Sequence, residues 1–479
     1  MMNNDFTILV PGIKECGRLS VTSPWDGKVI GSVPMIDSDG AEQALSLAYA
    51  IFNDRKLWLS VPRRIEILKR TAAIMEIMTE QLASEAAREG GKPLLDSRVE
   101  VVRAIDGVFN AIECLKSASG REIPMNLNSA SSQRLALTTR EPIGVVLAIS
   151  AFNHPLNLIV HQVIPAIAAG CPVIVKPAED TPLSCFRLVN ILREAGLPDE
   201  YCMAIMTENI QLSEKLVSDS RVGFFSFIGS AKVGWMLRSK LAAGSRCALE
   251  HGGSAPVIIA QDADLDDILP LLAKGGFYHA GQVCVSVQRV FAHQSVADEV
   301  TARLAELASS IKCGDPNDET TEVGPLIRPA EVERVSAWVN EAVEEGANLI
   351  TGGEKLGDNC YACTVLLEPS QASKVSQQEI FGPVICVYSY EDIEQAVSMA
   401  NSVPFSFQAA VATKDLDSAL YCYKNLDASA VMVNDHTAFR VDWMPFAGLK
   451  QSGLGVGGIP YTFEDMQVEK MLVMRSKSL

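Results

Sequence analysis

The chain has 479 residues, 48% hydrophobic and 21% charged, which excludes a disordered polypeptide and exceeds one ordinary core, so two or three domains are expected. A formal net charge of -17 excludes nucleic acid and anionic membrane surfaces as partners, because both would be repelled at long range. Residues 1–6 lack a basic region and an apolar core, and the longest apolar tract, 158–175, is interrupted by His161, Gln162, Pro165, Gly170 and Pro172; neither a secretory signal nor a membrane span is expected, and the expected location is the cytoplasm.

In chain order, residues 21–34 read as a hairpin turning at Asp26-Gly27. Asp37 then suits a helix N-cap, and apolar residues recur at three and four spacing over 41–52, 61–85 and 97–117, with a break at Gly90-Gly91-Lys92-Pro93. Residues 123–140 alternate as a β ribbon, either an arm that pairs with another subunit or an internal hairpin. From residue 143 strands and helices alternate, with strands at 143–150, 171–176, 201–206, 223–228 and 246–250. Five strands joined by crossovers predict a doubly wound parallel sheet whose ligands bind beyond the carboxyl ends.

Those ends carry polar residues. Ser150-Ala-Phe-Asn153-His154 puts an amide and an imidazole at the sheet mouth, where Asn153 is suited to an oxyanion or to capping the next helix. Lys176-Pro-Ala-Glu179 is suited to ribose hydroxyls or to a surface ion pair. Phe227-Ile-Gly229-Ser230 opens a helix as a pyrophosphate site or an ordinary cap. Glu250-His251-Gly252-Gly253 offers a base on a tight turn, or a turn glutamate facing solvent.

A second alternation follows, with strands near 255–260, 285–291, 347–350, 363–367, 383–388 and 409–413. Between its first two strands stands Gly281-Gln-Val-Cys284, a thiol on the approach to a strand and therefore a candidate nucleophile. It is one of twelve cysteines, whose irregular spacing suits a reducing compartment. Cys360-Tyr-Ala-Cys363 has neither a second pair nor nearby histidines to complete a zinc site, so no metal is expected.

The series Phe152-Asn-His-Pro, Lys176-Pro-Ala-Glu, Phe227-Ile-Gly-Ser, Leu249-Glu-His-Gly-Gly, Gly281-Gln-Val-Cys, Glu379-Ile-Phe-Gly-Pro and Pro445-Phe-Ala-Gly-Leu-Lys-Gln-Ser-Gly resembles the NAD(P)-dependent aldehyde dehydrogenase superfamily over nearly the whole chain. The resemblance implies that family's α/β fold: a dinucleotide-binding domain from 1–119 and 139–251, a catalytic domain over 252–453, and an oligomerisation element from 120–138 and 454–479, with a homodimer or homotetramer expected. It also implies Cys284 as nucleophile, Asn153 with the Cys284 amide as oxyanion hole and Glu250 as base. Cofactor contacts would come from Ile149, Ser150, Lys176, Glu179, Phe227, Gly229, Ser230, Val233, Glu379 and Phe381. Glu179 would repel a 2′-phosphate, so NAD is expected, with NADP accommodated through Lys176.

The chain departs from the usual pattern at Phe152 (commonly Trp), His154 (commonly Phe), His251 (usually Leu) and Ala447 (usually Gly), and the loop 206–212 lacks glycines. For the substrate, the segment Phe439-Arg440-Val-Asp442 is similar to that of lactaldehyde and phosphonoacetaldehyde dehydrogenases. His154 and Arg440 would favour a small hydroxylated or anionic aldehyde, unless Arg440 is a structural partner of Asp442. Phosphonate-type members carry a further arginine where this chain has Val283, which argues against a doubly charged phosphonate. The rivals are acyl transfer to coenzyme A, which Glu250 disfavours, a cysteine hydrolase needing no nucleotide, and a non-catalytic relative of the fold.

Overall fold

The five segments between 143 and 250 pair as expected in a computed structural model of the chain, which describes residues 4–479. The strand order across this sheet is Gly453–Leu454, Arg246–Glu250, Val222–Ile228, Val145–Ile149, Val173–Lys176, Cys202–Ala204. Neighbours run parallel except Gly453–Leu454, which pairs antiparallel with Arg246–Glu250. Chain order reverses at Val145–Ile149, and the crevice beyond that strand is where a doubly wound sheet receives its ligand.

The second sheet runs Asn348–Thr351, Thr364–Leu367, Val384–Tyr390, Val287–His293, Ala255–Ile259, Gln408–Ala412, Ala430–Val433, parallel except at its first pair. Its last strand escapes sequence reading because four edge residues, of which only Met432 is buried, show little periodicity. Each sheet has its own apolar core: Val146, Ile164 and Phe186 belong to one, Val290, Phe291 and Ile385 to the other. At about 2 kcal/mol per fully buried large aliphatic side chain, these cores supply the main favourable term in folding.

The hairpin is Gly17–Thr22 with Val29–Met35, and Asp37 caps the helix Ser38–Asn53 by accepting from the Asp39 and Gly40 amides. The helical run read over 61–85 is two helices, Val61–Ile77 and Thr79–Gly90, broken at Met78. No glycine or proline marks that break. The ribbon Arg134–Pro142 pairs in register with the tail Gln467–Arg475 of the same chain, from Pro142 opposite Gln467 to Arg134 opposite Arg475. Met471, Leu472, Val473 and Met474 remain exposed on it.

Two helices of the first layer lack a cap of their own. Helix Asn157–Ala169 is buried along its whole length, as its near-continuous apolar sequence requires, and is preceded by Leu156. Its amino end is capped from afar: Glu100 on helix Leu94–Ser117 accepts from the Leu156 and Asn157 amides, both at 2.9 Å. Glu89 does the same for Leu183–Glu194, accepting from the Leu183 and Ser184 amides at 2.7 and 2.9 Å. The other oxygen of Glu100 is paired with Lys92, and both side chains are wholly buried. Glu100→Gln would keep a capping oxygen but strip Lys92 of its counter-charge inside the core, and should destabilise the protein by about 3–5 kcal/mol in chemical denaturation; a loss below about 1 kcal/mol would contradict the buried ion pair.

Candidate active site

A cavity of about 920 Å³ opens beyond the carboxyl edge of the first sheet and reaches the loop before Val287. It is lined by Ser150, Asn153, His154, Phe227, Gly229, Ser230, Val233, Glu250, Cys284, Glu379, Phe381 and Arg440. Ile149 and Lys176 sit side by side on adjacent strands at the same edge but outside this lining, as does Glu179. Lys176 lies 3.7 Å from Glu179, whose side chain is largely exposed.

The thiol is delivered by a tight turn. His279, Ala280 and Gly281 have φ of 49°, 55° and 68°, and a left-handed run through two residues with side chains costs on the order of 1–2 kcal/mol each. Gln282 holds the turn, accepting from the Ile327 amide at 3.0 Å and donating to the His279 carbonyl at 3.2 Å. Asn153 Nδ2 donates to the Gln282 carbonyl at 2.8 Å, which fixes the carboxamide near the Cys284 turn and leaves its second hydrogen free.

Burial pushes the Cys284 thiol up to about 12; Arg440 pulls it down, while Glu379 and Glu250 oppose ionisation. Burial also raises Glu250, against the pull of Arg440, and raises Glu379 to about 8, against Arg334. The direction of the shift makes the Glu250 carboxylate, at a strand end, a stronger base than a solvated glutamate.

Arg440 does pair with Asp442, but only at the limit of an ion pair and without a hydrogen bond. The Asp442 carboxylate accepts from Arg103 Nη2 at 2.6 Å and Nε at 3.0 Å and from His161 Nε2 at 2.7 Å, whereas Arg440 Nε stays 4.0 Å away. Burial raises Asp442, but His161 and Arg103 together hold it well below the usual carboxylate range. Burial and Arg440 lower His161 to about 4, so its ring is neutral, with the proton on Nε2 toward Asp442. Its Nδ1 lone pair then accepts from Arg440 Nη2 at 3.3 Å. The Arg440 guanidinium lies 3.6 Å from the Phe446 ring centroid, and its buried Nε has no hydrogen-bond partner. His154 Nε2 is 3.1 Å from the Tyr278 hydroxyl, and burial lowers its pKa strongly, so it is a neutral hydrogen-bonding group.

A dinucleotide fits the remaining groups. Ser150 Oγ and Glu379 Oε1 are buried without a protein partner, and Ser230 precedes helix Ala231–Arg238 without capping it. A Cβ at Gly252 would come within 1.5 Å of Glu379 Oε1, so glycine is required for that carboxylate to reach the cavity. Unpaired hydroxyl and carboxyl oxygens and a helix amino terminus are the groups that ribose hydroxyls and a pyrophosphate satisfy. Among the described residues, no group of three or more His, Cys, Asp or Glu side chains is arranged to hold a metal ion.

Sequence reading missed Arg103, Tyr278 and Arg334 as cavity residues, and His161 and Asp442 as their organisers. One signal was available: Asn157 and His161 are polar residues one helical turn apart in an otherwise apolar helix. Arg103 had none, because its partner is 339 positions away.

Residues 13–472 match the aldehyde dehydrogenase family. The chain is 38% identical to a 3-sulfolactaldehyde dehydrogenase from Priestia aryabhattai over 86% of both chains. It superimposes on aldehyde dehydrogenase 21 from Physcomitrella patens, solved with the reaction product succinate, with a TM-score of 0.94 at 33% identity over 99% of this chain and 98% of that one. It also superimposes on glyceraldehyde-3-phosphate dehydrogenase from Methanocaldococcus jannaschii complexed with NADP, with a TM-score of 0.91 at 34% identity over 96% and 99%. Fold and cavity are thus explained together: the chain belongs to the aldehyde dehydrogenase family and is an NAD(P)-dependent aldehyde dehydrogenase.

Proposed function

We propose that this aldehyde dehydrogenase oxidises a small aldehyde bearing one negative charge, such as a sulfonate or carboxylate, with or without a neighbouring hydroxyl. The observation that carries the reading is Arg440: a buried cation lining the cavity that makes no hydrogen bond to a carboxylate, Asp442 being 4.0 Å away and already engaged by Arg103 and His161. A substrate anion supplies the partner that Arg440 Nε lacks. His154 offers a neutral ring nitrogen for a hydroxyl or an anionic oxygen. Val283 adds no second cation beside the nucleophile, which favours a singly charged group over a phosphonate. Relatives that act on 3-sulfolactaldehyde or were solved with succinate are consistent with this choice.

In this reading Cys284 Sγ attacks the carbonyl carbon, and the oxyanion is met by Asn153 Nδ2 and the Cys284 amide. NAD(P), when bound, supplies the acceptor for the hydride that leaves the substrate carbon. The thioester left on Cys284 is cleaved by a water that Glu250 deprotonates, giving the carboxylate and the free thiol. Glu250 supports hydrolysis over transfer to coenzyme A. Lys176 and Glu179 would hold the adenosine ribose, with Ile149, Phe227 and Val233 along the cofactor. Ser150, Gly229 and Ser230 would meet the pyrophosphate region, and Glu379 with Phe381 the nicotinamide end.

The same proposal keeps the domain division of a cofactor-binding part (1–119 and 139–251), a catalytic part (252–453) and an oligomerisation element (120–138 and 454–479). It expects a homodimer or homotetramer built on the exposed apolar residues of Gln467–Arg475, and a cytoplasmic location, consistent with twelve free cysteines.

Two outcomes test the site. Because the thiol pKa lies near 12, alkylation of Cys284 in the cofactor-free enzyme should accelerate about tenfold per pH unit from about pH 7 to 10. Arg440→Ala, which removes the cation that lowers this pKa, should slow the reaction at each pH. A plateau near pH 8 would contradict the buried-thiol account. In steady state, Arg440→Ala should lower kcat for all aldehydes but raise KM only for anionic ones, by about 10-fold to 100-fold for 3-sulfolactaldehyde or succinic semialdehyde. Equal KM changes with propanal would remove the anion clamp.

A further inference from the structure

His251 directly follows Glu250, where the family pattern usually has leucine, and the chemistry proposed for the site gives its side chain no task. The ring is only 2% exposed and lies between Phe227 and Trp235, with centroids 5.7 and 5.9 Å away in edge-to-face arrangement. Its Nδ1 is 2.8 Å from the Gly229 carbonyl oxygen, which only accepts, so Nδ1 carries the proton. The Gly229 amide in turn donates to the Glu250 carbonyl at 3.0 Å. Both backbone polar groups of Gly229 are therefore tied to the Glu250-His251 pair on the neighbouring strand.

The ring also sets the height of the following helix. A Cβ on Gly234 would stand 2.0 Å from His251 Cε1 and 2.6 Å from Nε2. Only glycine lets Ala231–Arg238 settle onto the imidazole, while the Gly234 amide donates to the Ser230 carbonyl at 3.0 Å. His251 thus contacts the Gly229-Ser230 turn and the first turn of the helix together.

We propose that His251 is a positioning residue for the dinucleotide pyrophosphate: it clamps the Gly229-Ser230 turn and the amino end of Ala231–Arg238 against the strand that carries Glu250. This rests on the cofactor reading given above. Leucine would fill much of the same volume but leave the Gly229 carbonyl without its donor. The clamp needs only the neutral ring, since Nε2 has no protein partner.

The test compares full-length wild type, His251→Leu, His251→Asn and Gly234→Ala in calorimetric titrations with NAD+ and NADP+, and in steady-state rates at saturating aldehyde. His251→Leu should weaken cofactor binding and raise the cofactor KM by about fivefold to tenfold, with kcat at saturating cofactor falling less. His251→Asn, whose Nδ2 stands where imidazole Nδ1 stood, should recover to within about twofold. Gly234→Ala, which drives the ring from its seat, should resemble His251→Leu. Wild-type affinity in His251→Leu or in Gly234→Ala, or no recovery in His251→Asn, would overturn the proposal. Failure of the wild type to bind either dinucleotide would overturn the cofactor reading and this inference with it.

Discussion

A single buried carboxylate, Asp442, joins the parts of this enzyme that must meet at its site. Arg103 reaches it from helix Leu94–Ser117, His161 and Asn157 reach it from helix Asn157–Ala169, and it stands on the segment that leads to Phe446. Burying such a charge is costly unless it is fully hydrogen-bonded and paired, and here two donors come from one guanidinium and another from a neutral imidazole. Because Arg103 and His161 take its hydrogen bonds, Arg440 keeps only a 4.0 Å contact with it, beside a ring face, a lone pair and the nearby Glu250 carboxyl. That leaves a buried cation available to the cavity.

The cation has two consequences that pull together. It lowers the Cys284 thiol and the Glu250 carboxyl, each of which burial makes harder to ionise. In the proposed function it also gives an anionic aldehyde a fixed point of attachment, so the group that would orient the substrate also eases formation of the thiolate. Cys284, Glu250 and Arg440 are therefore coupled: Arg440 favours ionisation of both acids, and Glu250 opposes that of Cys284.

The alternation of strands and helices was legible from 143 to 260 because buried parallel strands are short apolar runs bounded by turns. The ends of those strands carried Asn153, Ser230 and Glu250, so much of the cavity lining followed from topology alone. What escaped was long-range. Helices Asn157–Ala169 and Leu183–Glu194 were legible as 158–169 and 182–195, but their caps were not, because Glu100 and Glu89 lie 56 and 94 residues away. Likewise the local spacing of Arg440 and Asp442 suggests a pair, but Arg103 and His161 outcompete Arg440 for the carboxylate through tertiary contacts. The break at Met78 and the edge strand Ala430–Val433 carry no residue type that announces them.

If Asp442 acts by organising Arg440, the two residues are energetically one. The direct measurement is a double-mutant cycle of Asp442→Asn and Arg440→Ala on kcat/KM for 3-sulfolactaldehyde, with folding checked by denaturation. The account predicts that the double variant is about as impaired as Arg440→Ala alone. Losses that simply add would contradict it.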